Sequence, residues 1–268
     1  MNKYSRYRTR LRYSPVARSI IFAMTLLAGA GLCTSMALAA EAPELLSVDI
    51  NVRDKAALQR GVRTFNDYCL GCHGADYMRY KRIAADLGYN EEQVESKLLP
   101  PGRDMVDALT SALQPEDAEE LFGAVPPNLS LSARSRGADW LYTYMLTFYP
   151  DDSTDSGWNN LVFPNAAMPH AMWDLQGIQV RTDEHNEAAA ASEDGHADIT
   201  AGFELVEAGL QTPEEYRQTV KDLVTFMAYL SEPAQLKRAA IGPWVILFLA
   251  LFSVLAYVLK REYWRDIH

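Results

Sequence analysis

The sequence predicts an all-α domain with long inserted loops, followed by one C-terminal transmembrane helix. Three observations carry that prediction. Apolar residues recur at helical spacing in separated stretches, such as Leu58, Val62 and Phe65, or Trp140, Tyr144 and Phe148. The stretches between them are polar, acidic or broken by Pro and Gly, which suits loops. Residues 239–259 carry no charge. At about 1.5 Å per residue that run spans about 30 Å, the thickness of a bilayer's hydrocarbon core.

Residues 1–40 read as a cleavable export signal. Lys3, Arg6, Arg8, Arg10, Arg12 and Arg18 make a basic start without an acid, and residues 20–32 are apolar. Ala37-Leu38-Ala39 has the small-x-small pattern of a signal-peptidase site, with the cut after Ala39 or Ala40. A retained membrane helix is the rival, but the run is short and contains Gly. No twin-Arg pair is present, which points to the general secretory route. Cys33 reads as an ordinary residue of the apolar run. Loss of the signal takes six of the 25 basic residues and none of the 35 acidic ones. That leaves 19 against 35, a net charge of −16. Such acidity excludes nucleic acid as a natural partner and favours a basic surface on another protein. Only Cys69 and Cys72 remain, so no disulfide framework is expected despite an oxidising compartment.

The mature domain is expected over residues 41–236. Helices are predicted over residues 54–68, 91–99 and 139–148. Residues 149–160 read as an acidic turn region with Pro150 and Gly157, and residues 176–201, with His185 and His196, as an exposed loop or hairpin. Thr212-Pro213-Glu214-Glu215 starts the last helix of the domain, with a capping threonine, proline at the first position and acids in the first turn. That helix is expected to reach Leu230 and lead through Pro233 into the anchor, residues 237–260. Pro243 is expected in the first turn of the span, where proline is tolerated. Trp244 and Tyr257 sit near its ends, as interfacial aromatics do. Export of the N-terminal part would put the domain in the periplasm of a bacterial inner membrane and leave residues 261–268 as a short cytoplasmic tail.

The chemistry lies in Cys69-Leu70-Gly71-Cys72-His73, an attachment sequence for c-type haem. Two thiols three positions apart reach the two vinyl groups of one porphyrin, and the adjacent histidine supplies the proximal nitrogen to iron. A redox dithiol does not need that histidine. A zinc site would want further Cys or His at ligand spacing. The sixth ligand should come from far downstream. Met78 is too close to the attachment site, Met145 and Met227 fall on apolar helix faces, and Met105 has no supporting context. Met168 lies in the proline-stiffened loop Phe163-Pro164-Asn165-Ala166-Ala167-Met168-Pro169 and is the preferred ligand, with Met172 and His170 as rivals.

Taken in order, these residues resemble the cytochrome c1 family. The resemblance rests on Cys69 to His73 followed by Met78-Arg79-Tyr80, on Pro126-Pro127-Asn128-Leu129-Ser130 with Arg134 and Arg136, on the Phe-Pro…Met-Pro loop and on the C-terminal anchor. It implies a class I cytochrome c-like fold with one covalent haem c, held through Cys69, Cys72, His73 and the axial Met168. It also implies that Arg136 pairs with a haem propionate and that Trp140 lines the pocket. A buried propionate needs such a charge-assisted partner, whereas a plain surface role is the alternative for Arg136. The Pro126 or Pro127 carbonyl is expected to accept the His73 ring N–H and fix its tautomer. Asn128 stands where the family usually has Asp, and His170 where further prolines are common. Gly61 and Phe65 precede the haem by class I spacing, at which the glycine admits an aromatic of the last helix, Phe226 or Tyr229.

The implied function is electron transfer within a quinol:cytochrome c oxidoreductase. The cytochrome b subunit would be a neighbour, the Rieske iron–sulfur protein the donor and a soluble or tethered cytochrome c the acceptor. The chain is then not an enzyme on its own. The alternatives are another membrane-anchored cytochrome, such as a terminal-oxidase subunit, and a haem peroxidase or ligand sensor. Three acidic groups offer docking charge: Glu116, Asp117, Glu119 and Glu120; Asp151, Asp152 and Asp155; Asp183, Glu184 and Glu187.

Overall fold

A computed structural model describes residues 45–182 and 202–266. The expected signal peptide lies outside the described residues, as do His185, His196 and the third acidic group.

Helix α1, Lys55–Thr64, begins where the Asp54 carboxylate accepts from the Ala56 and Ala57 N–H groups, at 3.0 and 3.2 Å. Such a cap satisfies two of the donors that a helix start leaves open. Its inner face is Leu58, Val62 and then Phe65, all buried as their spacing predicts. The helix does not simply stop. Phe65–Cys69 continues it as one π-turn, and the Leu70 N–H reaches the Phe65 carbonyl at 2.9 Å. That wider turn was not legible in the periodicity; π-turns often mark functional positions.

Next come strand β1 (Ala75–Arg79), helices α2 (Tyr80–Leu87) and α3 (Glu91–Lys97), strand β2 (Ala108–Leu109) and helix α4 (Pro115–Phe122). A 3-10 turn at Leu129–Leu131 leads into α5 (Ser132–Arg136) and α6 (Ala138–Leu146). Strands β3 (Phe148–Pro150) and β4 (Trp158–Asn160) follow, then α7 (Trp173–Gln176), β5 (Gly177–Arg181), β6 (Phe203–Ala208), α8 (Pro213–Ser231) and α9 (Gln235–Tyr263). The domain is mainly helical, as expected, and among the described residues three two-stranded antiparallel ribbons are added: β1–β2, β3–β4 and β5–β6.

The core forms where α1 crosses α8. Helix α8 starts with the predicted device, since the Thr212 hydroxyl accepts from the Glu215 N–H while Glu215 caps the Thr212 N–H in return. At the crossing, a Cβ on Gly61 would lie 2.2 Å from the Asp222 carbonyl and 2.7 Å from Phe226 Cβ. Only glycine allows that approach. Phe226 is therefore the aromatic that Gly61 admits, and it meets Phe65 edge-on at 5.5 Å. Arg60 bridges the same crossing, with Nε 2.6 Å from Asp222 Oδ2.

Three readings of the sequence are refined. Residues 149–160 are more than a turn, because β3 and β4 pair Phe148 with Asn160 and Pro150 with Trp158 around it. Of residues 176–201 only 176–182 are described, and they hold strand β5, which pairs antiparallel with β6 beyond that stretch. The base of this ribbon is closed by Gly177 and Gly209, where any Cβ would strike backbone at 2.1 and 2.3 Å. Pro243 is not in the first turn of its helix, because α9 starts at Gln235 and carries the proline inside. Proline there removes one backbone hydrogen bond. The apolar stretch of α9, Ala240–Tyr263, is exposed along its length.

Candidate functional site

The π-turn delivers Cys69 buried, while Cys72 is exposed, and both thiols are free. The Cys69 carbonyl accepts from both the Cys72 and His73 N–H groups, at 3.1 and 2.7 Å. This tight turn gathers the three residues on one carbonyl. Burial pushes the Cys69 thiol up to about 12, with the neighbouring Cys72 adding to the shift, so it stays protonated. A buried thiol held protonated argues against a thiolate metal ligand at Cys69. Among the described residues no group of three or more His, Cys, Asp or Glu could hold a metal ion.

His73 Nδ1 lies 2.8 Å from the Pro127 carbonyl. A carbonyl only accepts, so Nδ1 carries the hydrogen and Nε2 presents its lone pair. Burial pulls the His73 pKa down, partly offset by that bond, which keeps the ring neutral. The turn is pinned to the 126–130 segment by neighbouring bonds: Leu129 N–H to the Gly74 carbonyl at 2.7 Å and Tyr77 N–H to Ser130 Oγ at 3.1 Å. Asn128, the departure from the family's usual Asp, accepts from the Ser130 N–H at 3.0 Å and so starts the 3-10 turn. An Asp carboxylate could accept that same bond.

A second group forms from the end of α5, α6, the start of β3 and the loop after β4. Arg136 lies over the Trp140 ring at 4.9 Å and over Phe163 at 5.8 Å. Trp140 stacks on Tyr144 at 5.0 Å, and Tyr144 meets Phe148 edge-on at 4.8 Å. The Tyr144 hydroxyl donates to Met168 Sδ at 3.5 Å. Residues 126–140 join the two groups, running from the His73 partner Pro127 to Arg136 and Trp140. The residues of each group fit a covalent haem: two cysteines three positions apart, a histidine with one fixed tautomer, a thioether, an aromatic wall and a guanidinium.

The rivals for the sixth ligand are placed differently. Met172 is fully buried in the core, and Met78, Met145 and Met227 are core residues too. Met105 is partly buried and packs against that core. His170 is buried face to face on Phe148 at 4.9 Å, with Trp158 and Tyr216 around it. Burial pushes its pKa down to about 4, against smaller opposite pulls from Gln176 and Asp174. Met168 is half-buried, with its sulfur at the aromatic wall.

What the sequence reading missed is the support of the Met168 loop. Asn160 is fully buried; its Nδ2 donates to the Tyr144 carbonyl at 2.7 Å, and its Oδ1 accepts from the Val162 and Phe163 N–H groups. Asn159 Oδ1 accepts from the Asn165 N–H at 2.8 Å, and its Nδ2 donates to Asp151 Oδ2 at 2.7 Å. Asn165 adopts a left-handed φ of 58°, which Asn tolerates well. The only signal in sequence was a pair of asparagines beside Trp158.

The family model described as the cytochrome C1 family matches residues 49–98 and 101–267. The chain belongs to the cytochrome c1 family. Its relatives include a cytochrome c1 from Allochromatium vinosum, 45% identical over 224 residues, which covers 84% of this chain and 90% of the relative. A cytochrome c1 from Rhodospirillum rubrum is 28% identical over 244 residues, covering 80% and 83%. A protein of Nitrosomonas europaea named ammonia monooxygenase gamma subunit is 46% identical over 219 residues, covering 82% and 87%. Family membership makes this chain a membrane-anchored subunit with one covalently bound haem c, part of a quinol:cytochrome c oxidoreductase. It transfers electrons within that complex and is not an enzyme alone. That assignment takes the place of the terminal-oxidase and peroxidase alternatives.

Proposed function

We propose that Cys69 and Cys72 carry the haem c, that His73 Nε2 and Met168 Sδ are its axial ligands, and that Arg136 pairs with a propionate. We further propose that the domain faces the periplasm, next to cytochrome b, and takes electrons from the Rieske protein for delivery to a cytochrome c. The observation that carries this reading is the His73 Nδ1 bond to the Pro127 carbonyl, because it leaves one ring nitrogen free to ligate and orients it. The haem supplies the one-electron step. The chain's own residues hold it, shield it and adjust its potential. Trp140, Tyr144 and Phe163 form an apolar wall, and Arg136 lies over Trp140 and Phe163, where its charge can meet a carboxylate. On α4, Glu116, Asp117, Glu119 and Glu120 are all exposed, which supports a docking role toward a basic acceptor. Asp151 supports such a role less, because Ser153 and Asn159 already bond to its carboxylate and hold its pKa down.

The test is purification of the tagged full-length chain from its native membrane. Co-isolation of a b-type cytochrome and a Rieske centre, with covalent haem lost in Cys69→Ala/Cys72→Ala, is the expected result. Haem that survives both substitutions would end the assignment of attachment. A chain isolated without the other two redox proteins would end that of the partners. Oxidation by a basic cytochrome c should slow steeply with added salt, since such a field is screened beyond ~8 Å at physiological ionic strength. A rate indifferent to salt would remove the acidic docking role.

A further inference from the structure

One carboxylate outside the residues assigned above reaches the attachment turn. Tyr68 belongs to the π-turn and directly precedes Cys69, and its hydroxyl donates to Asp174 Oδ2 at 3.1 Å. Asp174 lies in α7, six residues after Met168. Backbone bonds hold α7 in place around it: the Leu210 N–H donates to the Asp174 carbonyl at 2.8 Å and the Gln211 N–H to the Leu175 carbonyl at 3.1 Å.

The carboxylate is sparsely served. Its Oδ1 is buried and has no hydrogen-bond partner among the described residues. Gln176 Oε1 and Gln211 Oε1 are buried without partners as well, so this corner is rich in acceptors, and the two amides bring no charge to balance Asp174. The field of Asp174 extends to the attachment turn. Burial raises the pKa of the Tyr216 hydroxyl, which donates to the Met145 carbonyl at 3.0 Å; the field of Asp174 comes next, ahead of those of Cys69 and Tyr68. One buried hydroxyl thus lies within electrostatic reach of both Asp174 and the Cys69 sulfur. A cavity of about 280 Å³ beside α7 and the base of the β5–β6 ribbon, lined by Trp173, Asp174, Ile178 and Glu207 among others, brings solvent to the outer side of the carboxylate. Screening on that side keeps the field moderate.

We infer that the Asp174 carboxylate, with the Tyr68 hydroxyl bonded to it, sets the reduction potential of the haem through its field. Oxidation leaves one more positive charge at the iron, and a carboxylate nearby favours that state, so Asp174 lowers the potential. The Tyr68 hydroxyl acts in the opposite sense, because a donor on the carboxylate weakens its field. The two partners of one hydrogen bond therefore pull the potential in opposite directions. A mere brace between α7 and the π-turn would give both the same sign.

The inference rests on the proposal that Cys69 and Cys72 carry the haem, and the two fail separately. Potentiometry is done on full-length, haem-loaded protein. Asp174→Asn keeps the shape and an oxygen for the Tyr68 hydroxyl, and removes the charge. It should raise the potential, moving the equilibrium with a reference couple about threefold, which is about 30 mV for one electron. Tyr68→Phe should lower the potential by less than that. Beside Asp174→Asn, Tyr68→Phe should have no effect, since no charge is left for the hydroxyl to weaken. The visible spectrum of each variant should match that of the parent. An unchanged potential in Asp174→Asn, shifts of the same sign, or a Tyr68→Phe shift that persists in the double variant overturns the inference. So does loss of a thioether-to-iron band in Asp174→Asn, which would make the carboxylate a support of the Met168 loop. If Tyr68→Phe fails to take up haem, Asp174→Asn decides alone. Covalent haem that survives Cys69→Ala/Cys72→Ala breaks the attachment reading, whereas an unmoved potential in Asp174→Asn with covalent haem in place breaks only the role of Asp174.

Discussion

The two sides of the proposed haem site are built from different materials. On the attachment side, Cys69, Cys72 and His73 are contiguous, and one backbone carbonyl gathers the N–H groups of the other two. Behind them, α1 is locked on α8 through Gly61, Phe65 and Phe226. On the Met168 side, the loop that holds the proposed ligand has no such ladder. Its backbone groups are met by side-chain amides, Asn159 and Asn160, and by Ser156, whose hydroxyl donates to the Ala166 carbonyl at 3.2 Å. Buried peptide groups need partners, so an irregular loop that enters a core must borrow them from side chains. Single substitutions can therefore loosen the Met168 side while the attachment side stays intact, and the reverse should also hold.

The largest effect should come from the proposed ligand. Met168→Leu should abolish any thioether-to-iron charge-transfer band at the red end of the spectrum, lower the reduction potential and let carbon monoxide bind the reduced protein. Met172→Leu, a core change, should do none of these. If the band is lost from Met172→Leu and kept in Met168→Leu, the two methionines have been assigned the wrong way round.

A matched pair of supporting residues tests whether the two sides are separable. Gly61→Ala forces a methyl into the 2.2 Å approach to the Asp222 carbonyl, so α1 and α8 must part. A cost of about 1–3 kcal/mol is expected, as for other overpacked cores. Haem ligation should be unaffected, with no carbon monoxide binding. Asn160→Ala leaves the Val162 and Phe163 N–H groups without their partner, and the Tyr144 carbonyl with only its longer bond from the Thr147 N–H at 3.4 Å. Its stability cost is similar, about 2 kcal/mol. Here the spectrum should change, with a weakened charge-transfer band and partial carbon monoxide binding. Thermal unfolding followed beside the visible spectrum measures both. Carbon monoxide binding in Gly61→Ala but not in Asn160→Ala would show that the sides are not independent.

This division also decides what could be seen in the sequence. The proposed attachment side could be read from sequence because Cys69, Cys72 and His73 fall within five residues and its helix carries a plain apolar face. The Thr212 cap and the uncharged anchor were legible for the same local reason. The π-turn at Phe65–Cys69 was not, since one extra residue in a turn leaves the apolar pattern almost unchanged. Nor were Asn159, Asn160 and Tyr144, whose roles come from partners up to 24 positions away in the chain. The base of the β5–β6 ribbon was hidden too, because nothing local marks Gly177 and Gly209 as a pair.

The smallest expected effect sharpens the comparison most, because it touches the sulfur and leaves the loop alone. The Tyr144 ring is held between Trp140 and Phe148, so Tyr144→Phe keeps the wall and removes only the hydroxyl. Burial pushes the Tyr144 pKa up to about 12, so the hydroxyl keeps its proton near neutral pH and remains a donor. A donor on the thioether draws lone-pair density away from iron and so disfavours the oxidised form. Its loss should lower the potential. A difference of about 0.5 kcal/mol in that bond between the two oxidation states corresponds to about 20 mV for one electron. Stability should fall by less than about 1 kcal/mol, because sulfur is a weak acceptor. Potentiometry on the haem-loaded full-length protein makes the measurement. A purely structural role for Tyr144 would leave the potential in place, and an unchanged value would remove the hydroxyl from the account of how the Met168 side adjusts the iron.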